Sequence, residues 1–559
     1  MSKPLQDYTK EELIEAVKSL RQCKKFGLVW EDKLEDVAVQ CEKQLPIVNE
    51  VTERAIKKAE GQPTNLIIEG DNYHALSVLN YTHAGKIDVI YIDPPYNTED
   101  TTWIYNNDYV DKNDMFRHSK WLSFMEKRLV LAKGLLKSDG VLICAIDKNE
   151  QAHLCVMLEE LFPDYEIHTI TVVHNPRGVQ GKNFSYTHES AVFVIPRGKK
   201  SIGRRKISDA DVAWRNLRDN GGESLRTDAR NCFYPMIVKE GKVVDFGDVV
   251  DNSEHPLANT VQTDGSICVY PVDGNGIERK WRYARQSVEK IKDLLRAKKV
   301  KGVWQIEIGK NFGTYRTVWQ DARYDSNEFG TKLINKIVPG NGFDFPKSLW
   351  NTYDCLYSVI GEKKDAVVLD YFAGSGTTGH AVMEMNKEDG GNRQHILVSS
   401  NEGNIPTIVT YPRIKGVIDG YAGVAGIPAN VRYFKTDFVD KDGTLDKLKR
   451  EISPRCADMI RIREGAYETV LDTEMLKVYA NQRGLTAVVF DRFELEKYLA
   501  EIEKLETDAP IHLYVFSYDK DGRADEMPDD LKHEYINQPI PEGVLEVYSR
   551  IFKERGKNA

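Results

Sequence analysis

The stretch from Val89 to Thr98 constrains the fold of this chain more than any other. It reads VIYIDPPYNT, and its continuous apolar start is typical of a β-strand that is buried on both faces. Two prolines then end the strand, because proline fixes φ and donates no backbone hydrogen bond. We therefore predict a strand inside an open α/β sheet, with a rigid turn at its carboxyl end, the edge at which such sheets bind ligands.

The residues of this turn suit a flat heterocycle that carries an exocyclic amine. Asp93 and the carbonyl of Pro94 can accept the two amine hydrogens, and Tyr96 can stack on the ring. An aromatic amine is a poor nucleophile, so two acceptors that favour a tetrahedral nitrogen would help it to attack an electrophile. The alternative is a strand that ends in an ordinary Pro-Pro turn beside a buried tyrosine.

A glycine-rich turn between a predicted strand and a predicted helix forms the second chemical motif. It reads VVLDYFAGSGTTG from Val367 to Gly379, and its glycines allow a ligand to approach the backbone beside a helix N-terminus. Asp370 would repel a pyrophosphate but can bind an ammonium group. Glu402, which follows the next predicted strand, suits ribose hydroxyls. The pair indicates a nucleoside that carries an amino acid, S-adenosylmethionine, and NAD is the alternative.

Composition places the chain among large globular proteins. Of 559 residues, 41% are hydrophobic and 29% are charged, which is sufficient for buried cores. No apolar run approaches the ~18 residues that span a bilayer, and the first residues lack an apolar signal core. Eight cysteines occur without a CxxC pair, so we expect no metal site, no disulfide framework and a cytoplasmic location. The net charge of −9 argues only weakly against nucleic acid, since a local basic face is enough to bind phosphates.

Patterning divides the chain into five segments. They are an N-terminal helical arm (1–60, with candidate helices at 11–20 and 34–50), an α/β half (61–196), an insert (197–330), a second α/β half (331–438) and a C-terminal α+β module (439–559). The loop at 98–114, with Trp103, Tyr105 and Tyr109, is either a lid over the site or a surface loop. The insert interleaves basic clusters with aromatics, which suits phosphates and bases, although by itself this pattern is more typical of a solvated face.

At these motifs the chain resembles amino-methyltransferases that act on DNA. Asp93-Pro94-Pro95-Tyr96 is similar to their catalytic motif, and Asp370–Gly376 is similar to their S-adenosylmethionine motif. The order, catalytic motif before cofactor motif, resembles the circularly permuted β-class. The longer strings resemble the Mod subunit of type III restriction–modification systems; they are DPPYNTED, Asn175–Gly178, His188-Glu189, Gly330–Lys332 and FDFPKS.

The resemblance implies a fold and a set of site residues. The fold would be a Rossmann-like, mostly parallel sheet of seven strands, with the insert at 197–330 as a target-recognition domain. Asp93, Pro94, Pro95 and Tyr96 would hold an adenine that is flipped out of duplex DNA. The cofactor residues would be Asp71, Phe345, Lys347, Asp370, Phe372, Ala373, Gly374, Gly376, Thr377 and Glu402. Tyr371 stands where the family often has proline.

The resemblance also implies an activity and partners. We expect S-adenosylmethionine-dependent methylation of adenine N6, with Asp93 mainly a hydrogen-bond acceptor, and double-stranded DNA as the substrate. A Mod homodimer and a separate Res subunit, with translocase and nuclease parts, are the implied protein partners. The alternatives are methylation of cytosine N4, for which the family more often has serine in place of Asp93, and a non-catalytic specificity subunit.

Overall fold

The computed structural model describes residues 9–10, 30, 35–98, 104–105, 108–109, 114–180, 183–208, 210–491, 493–518, 527–528 and 530–558. The predicted helix at 11–20 and Trp103 of the predicted lid lie outside the described residues. The chain divides into two compact units, one formed by residues 1–203 with 316–559 and the other by residues 204–315.

The first part of the larger unit alternates strands and helices. In chain order they are α1 (Asp36–Lys43), β1 (Gln44–Glu50), β2 (Ile56–Lys57), β3 (Thr64–Glu69), α2 (Asn72–Thr82), β4 (Ile87–Ile92), β5 (Ile104–Tyr105), β6 (Asp108–Tyr109), α3 (Arg117–Lys133), β7 (Leu136–Ile146), α4 (Gln151–Leu161), β8 (Tyr165–Val173), β9 (Val179–Gln180), β10 (Ser185–Tyr186) and β11 (His188–Pro196). The strand predicted before Asp93 is β4, and all six of its residues are buried. Helix α3 buries Trp121, Met125 and Leu129, which recur at the spacing of one helix face.

The smaller unit consists of short antiparallel strands together with short helical segments. Its elements are β12 (Arg205–Lys206), β13 (Arg215–Asn216), β14 (Met236–Lys239), β15 (Lys242–Phe246), β16 (Asn259–Val261), β17 (Ile267–Val269), α5 (Arg285–Val288), β18 (Leu295–Val300), β19 (Val303–Ile308) and β20 (Phe312–Gly313). Its core includes Tyr234, Met236 and Trp281. Part of its basic charge is structural, because buried Arg226 donates to the carbonyls of Val250 and Asp251. Other basic residues are exposed, among them Arg204, Arg205, Lys206, Arg215, Arg230, Arg282, Lys298, Lys299 and Lys301.

The chain then returns to the larger unit. The elements that follow are β21 (Val318–Gln320), α6 (Lys332–Ile337), α7 (Leu349–Ile360), β22 (Val367–Asp370), α8 (Thr377–Asp389), β23 (Gln394–Ser399), α9 (Tyr411–Asp419) and β24 (Asn430–Asp440). The strand, turn and helix predicted around the glycine-rich motif are β22, residues 371–376 and α8. The remaining elements are α10 (Leu445–Ile452), α11 (Ala457–Glu464), β25 (Glu468–Asp472), β26 (Leu476–Asn481), β27 (Gly484–Val489), α12 (Leu495–Ile502), β28 (Ile511–Phe516), β29 (Tyr535–Ile540) and α13 (Glu542–Asn558).

The main sheet of the described chain has eleven strands, so the expected number of seven is wrong. Ten of them run in the order β1-β24-β3-β23-β22-β4-β7-β11-β8-β21, and β2 pairs with β24. The six from β24 to β7 are parallel neighbours, and β11 joins β7 antiparallel. Those seven match the expected core of a mixed α/β sheet. The four additional strands, β1, β2, β8 and β21, extend it at both ends.

The predicted helix at 34–50 is wrong over its second half. Residues 36–43 form α1, but Gln44–Glu50 pairs antiparallel with β24 over its whole length. Leu45, Ile47 and Val48 are buried there, and Pro46 is tolerated because β1 is the edge strand. Pairing with β24, almost four hundred residues away in the chain, therefore makes this segment a strand and not a helix.

A buried acid aligns strands from the two α/β halves at the end opposite to the predicted site. Asp88, near the start of β4, is 3% exposed and accepts from the backbone N–H of Val367 at 2.9 Å. Its carboxylate also accepts from Lys137 at 2.7 Å and from Lys363 at 3.4 Å. One carboxylate thus ties β4 to the first residue of β22 and to the start of β7.

The C-terminal residues form a second sheet, in the order β25-β26-β27-β28-β29. Its last three strands are parallel, and α12 packs on one side through Leu499 and Ile502. Tyr514 and Tyr548 belong to the same hydrophobic cluster as the helices beneath the main sheet. Among the described residues, no helix has both the length and the apolarity needed to cross a membrane.

Candidate active site

The two predicted motifs lie side by side at one edge of the main sheet. Strands β4 and β22 are parallel neighbours, with Val89 opposite Val368 and Ile90 opposite Leu369. Asp93 and Asp370 therefore come at the carboxyl ends of adjacent strands. Glu402 follows β23, the next strand, and Asp71 follows β3, the strand after that. Four predicted acidic residues thus share the edge at which open α/β sheets bind ligands.

The turn that contains Asp93 forms hydrogen bonds with two side chains from outside it, Trp121 and Glu150. Pro94 is buried, and the carbonyl of Pro95 accepts from the indole Nε1 of Trp121 at 2.6 Å. Asn97 has φ of +52°, a left-handed conformation that asparagine tolerates better than most residues. Its side-chain amide donates to Glu150 at 2.5 Å. These two hydrogen bonds anchor the turn on either side of Tyr96.

Asp93 and Tyr96 share a charged network with two residues from distant segments. Lys347 Nζ lies 3.3 Å from Asp93 Oδ1 and also contacts Glu189 Oε2 and the Tyr96 hydroxyl. The same ammonium lies 4.4 Å from the centroid of the Tyr96 ring. Tyr96 donates to Glu189 at 3.0 Å, and Asn351 fixes the other carboxylate oxygen of Glu189 at 3.0 Å.

Burial and charge act against each other in this network. Burial raises the pKa of Asp93, although the Lys347 ammonium partly opposes the rise. Burial alone would also raise the pKa of Glu189, but Lys347, His174 and the Tyr96 hydroxyl together outweigh it and the pKa is lowered. The pKa of Lys347 is raised, because Asp93 and Glu189 together outweigh the cost of burying the ammonium. The ammonium of Lys347 therefore stabilises the ionised forms of both Asp93 and Glu189.

The glycine-rich turn surrounds the second acid. Asp370 is 3% exposed and accepts from the Phe372 N–H at 2.9 Å and from the Thr378 hydroxyl at 2.6 Å. Burial raises its pKa to about 7 in spite of these two hydrogen bonds. Gly374 and Gly376 have φ of +47° and +78°, so residues with a Cβ would be strained at both positions.

Helix α9 holds the same turn from below through a buried arginine. Arg413 is fully buried and donates to the Ser375 hydroxyl at 3.0 Å and the Thr377 hydroxyl at 2.7 Å. It forms no ion pair with any residue the structure describes, and burial lowers its pKa to about 10. Thr410 adds a hydrogen bond to the carbonyl of Gly374 at 2.6 Å. Within the described part of the chain, a cation without an acidic partner thus lies beside the predicted cofactor turn.

The other predicted cofactor residues take varied positions. Asp71 caps α2 by accepting from the Tyr73 N–H at 2.7 Å, and its side chain is 29% exposed. Glu402 is exposed, and Phe345 is 83% exposed with φ of +54°. Phe372 packs against Phe124 with 5.9 Å between ring centroids, and Ala373 is buried. Lys347 contacts Asp93, the residue predicted at the acceptor, and not Asp370.

Sequence reasoning gave no role to three polar residues of this site. Glu189 and Asn351 lie in segments with no chemical pattern of their own, and only the His188-Glu189 string pointed to the first. Glu150 stands just before α4, but its side chain forms no cap for that helix. It accepts instead from Asn97, from His118 at 2.6 Å and from His153 at 3.0 Å. The sequence signal for these contacts of Glu150 is a histidine, His153, three residues later in the chain.

Comparisons with known proteins agree with these motifs. The family model described as DNA methylase matches residues 87–409, more than half of the chain and the whole span from β4 to beyond Glu402. The type II methyltransferase M.KpnI of Klebsiella pneumoniae is 32% identical over 370 residues, which cover 61% of this chain and 82% of that protein. The type III EcoPI Mod subunit of Escherichia phage P1 is 28% identical over 393 residues, which cover 60% of this chain but only 58% of that protein.

Solved structures add only a distant likeness. The cytosine-N4-specific PvuII DNA methyltransferase is 12% identical with a TM-score of 0.31, and the match covers 75% of this chain and 97% of that chain. The resemblance read from the sequence motifs is confirmed by the family match.

Proposed function

Since this chain belongs to the DNA methylase family, we propose that it methylates N6 of an adenine in DNA, with S-adenosylmethionine as the methyl donor. The observation that supports this most is the position of Asp93 and Asp370 at the ends of adjacent parallel strands. A transferase has to hold acceptor and donor at one place, and these carboxylates suit an aromatic amine and an ammonium group respectively.

The residues around Asp370 fit S-adenosylmethionine. The cofactor supplies an electrophilic methyl group when it is bound. Burial raises the pKa of the Asp370 carboxyl to about 7, so its ionised form is destabilised and a cationic partner would stabilise it. The ammonium of the cofactor would provide that partner. Gly374 and Gly376 leave the backbone open to a ligand at the N-terminus of α8. Glu402 and Asp71, at the ends of the next two strands, would bind the ribose and the adenine of the cofactor.

The turn from Asp93 to Tyr96 fits the acceptor. Asp93 and the Pro94 carbonyl would accept the hydrogens of N6, which favours the tetrahedral nitrogen needed for attack on the methyl group. Tyr96 would stack on the base, and Trp121 keeps the turn in place through the Pro95 carbonyl. Because N6 is unreachable inside a duplex, the adenine has to be flipped out first. The segment at 197–330, which contains the compact unit 204–315, would recognise the DNA sequence.

The similarity to Mod subunits supports a more specific assignment. We assign the chain as the modification subunit of a type III restriction–modification system, acting as a homodimer. DNA cleavage would then require a separate Res subunit. The matched region covers little more than half of the EcoPI Mod subunit, so this assignment rests on the part that carries the two motifs.

A methyl-transfer assay followed by nucleoside analysis tests the activity. The purified chain, labelled S-adenosylmethionine and bacterial DNA should give label in N6-methyladenine, and Asp93→Ala should give none. Label in N4-methylcytosine would replace the adenine proposal, and absence of label from DNA would favour a non-catalytic specificity subunit. Addition of ATP to the purified chain should produce no cleavage, and cleavage would contradict the need for a Res subunit.

A further inference from the structure

Two histidines and a glutamate come together beside the turn that carries the catalytic motif. His118 lies in the first turn of α3, Glu150 stands just before α4, and His153 lies in the first turn of α4. Nδ1 of His118 is 2.6 Å from Glu150 Oε1, and Nδ1 of His153 is 3.0 Å from Glu150 Oε2. Asn97 connects this group to the turn, because its amide donates to Glu150 Oε1 at 2.5 Å.

The three side chains offer the donor atoms of a transition-metal site. One donor atom from each residue can be chosen so that all three lie within 4.8 Å of one another. Imidazole nitrogens and carboxylate oxygens bind Zn²⁺ at ~2.0–2.2 Å, which places neighbouring donors about 3 Å apart. The two nitrogen–oxygen separations, 2.6 and 3.0 Å, are close to that value. Small movements of the side chains would therefore admit an ion.

Burial is distributed as a metal site requires. The Glu150 side chain is 0% exposed, whereas the side chains of His118 and His153 are 38% and 34% exposed. A carboxylate away from water attracts a cation more strongly than an exposed one does. The partly exposed imidazole rings leave a path by which an ion can enter. The group thus places a buried anion behind two accessible nitrogen ligands.

We propose that His118, Glu150 and His153 bind one divalent transition-metal ion of the Zn²⁺ class, through both Nδ1 atoms and the carboxylate. This site goes beyond methyl transfer and does not depend on it. The ion would replace the hydrogen bonds between the two Nδ1 atoms and Glu150, and the Nδ1 protons would be released. It would join the starts of α3 and α4 and, through Asn97, support the turn. The expectation of no metal site was drawn from the cysteines, and this donor set contains none.

The alternative is a pair of hydrogen bonds from histidine to carboxylate that bind no ion. Arg117 helps to separate the two cases, because its Nε lies 3.3 Å from Nε2 of His118. Ligation through Nδ1 leaves the ring proton on Nε2, where it faces this guanidinium. The guanidinium and the N-termini of the two helices also repel a cation. Arg117→Ala should therefore tighten metal binding, by about threefold.

Calorimetry on the full chain tests the proposal. The protein is first freed of metal with a chelator and kept reduced with a phosphine; this is also the form in which the protonation of Glu150 can be followed. Zn²⁺ should bind at one ion per chain with a Kd of about 1 µM, and Mg²⁺, which prefers oxygen ligands, should not compete. Bound Co²⁺ should show no thiolate charge-transfer band, which separates this site from binding by the free cysteines.

Two ligand variants and one control locate the ion. His118→Gln and His153→Gln should each weaken Zn²⁺ binding at least ~10-fold, because each removes one of three ligands. His168→Gln is the matched control, since His168 is a half-exposed histidine 3.3 Å from Glu166, and it should bind like the wild type. Melting curves without metal report whether each variant is folded. If one ligand variant does not fold, the other decides.

Four results would overturn the proposal. They are absence of Zn²⁺ binding to the wild type, weakening of less than tenfold in a folded ligand variant, an equal loss in His168→Gln, and a thiolate band from bound Co²⁺. Unchanged or weaker binding in Arg117→Ala would contradict ligation through Nδ1. Because each readout is metal binding, the outcome is independent of whether the chain methylates adenine.

Discussion

Binding of S-adenosylmethionine should release a proton from Asp370 below neutral pH. Burial raises the pKa of this carboxyl to about 7, so it is largely protonated in mildly acidic solution when no cofactor is bound. An ammonium group in contact with the carboxylate lowers that pKa. The bound state therefore holds fewer protons than the free state, and affinity has to weaken as the pH falls.

The size of the effect follows from the pKa. A group with a pKa of about 7 is roughly nine-tenths protonated at pH 6 and half protonated at pH 7. About 0.9 proton should leave on binding at pH 6, and the affinity should be about fivefold weaker at pH 6 than at pH 7. The range above pH 7 is avoided, since an α-amino group loses its own charge at about pH 8.

Isothermal titration calorimetry measures both quantities. Titrations at pH 6 in two buffers with different ionisation enthalpies give the number of protons released, and a series from pH 5.5 to 7 gives the affinity profile. Asp370→Asn should bind more weakly, release no proton and show a flatter profile. Asp365→Asn, an exposed acid just before β22, is the matched control and should behave like the wild type.

Thermal unfolding of the cofactor-free protein checks the same pKa independently. A carboxyl whose pKa is raised on folding stabilises the protein fully below its unfolded pKa, and that stabilisation is lost as the pH rises through about 7. The melting temperature of Asp370→Asn should therefore rise relative to the wild type between pH 5 and 8. Proton release that persists in Asp370→Asn would refute the assignment of this residue to the ammonium.

Three further changes probe other parts of the site. Asp93→Ala should reduce methyl transfer by at least ~100-fold while anisotropy shows DNA binding intact, and retained transfer would refute its role as acceptor of the N6 hydrogens. Arg413→Met should weaken S-adenosylmethionine binding by about tenfold with partial recovery in Arg413→Lys, and unchanged calorimetric affinity would contradict a role in holding the glycine turn. Burial raises the pKa of Glu150 to about 7, so the wild type should lose stability as the pH rises from about 4.5 through 7. In pH-dependent melting curves Glu150→Gln should flatten that loss, and parallel curves would contradict it.

Local sequence signals were sufficient for the strands that carry the two motifs. An unbroken apolar run before Asp93 can be satisfied only by burial on both faces, and β4 has no exposed residue. The glycine-rich motif is a local signal of the same kind, because Gly374 and Gly376 both adopt positive φ. The shared edge followed because parallel strands end at the same side of a sheet.

Contacts between distant segments could not be predicted from such local signals. Glu189 lies on β11 and Lys347 lies before α7, and nothing in either segment predicts that both would meet Tyr96. The helix expected at 34–50 failed for the same reason, since β1 forms only by pairing with β24. Glu150 accepts from His153 on the adjoining helix but also from His118 and Asn97, which come from separate segments.

The carboxylate of Asp88 affects how strands β4 and β22 are aligned. It fixes which residue of β22 lies opposite which residue of β4, and each position along a strand changes the height by ~3.3 Å and the face of the sheet. A slip by one position would shift Asp370 along its strand relative to Asp93 and turn its side chain toward the opposite face of the sheet. A hydrogen bond at the far end of the strands thus contributes to the relative position of the two proposed site acids, Asp93 and Asp370.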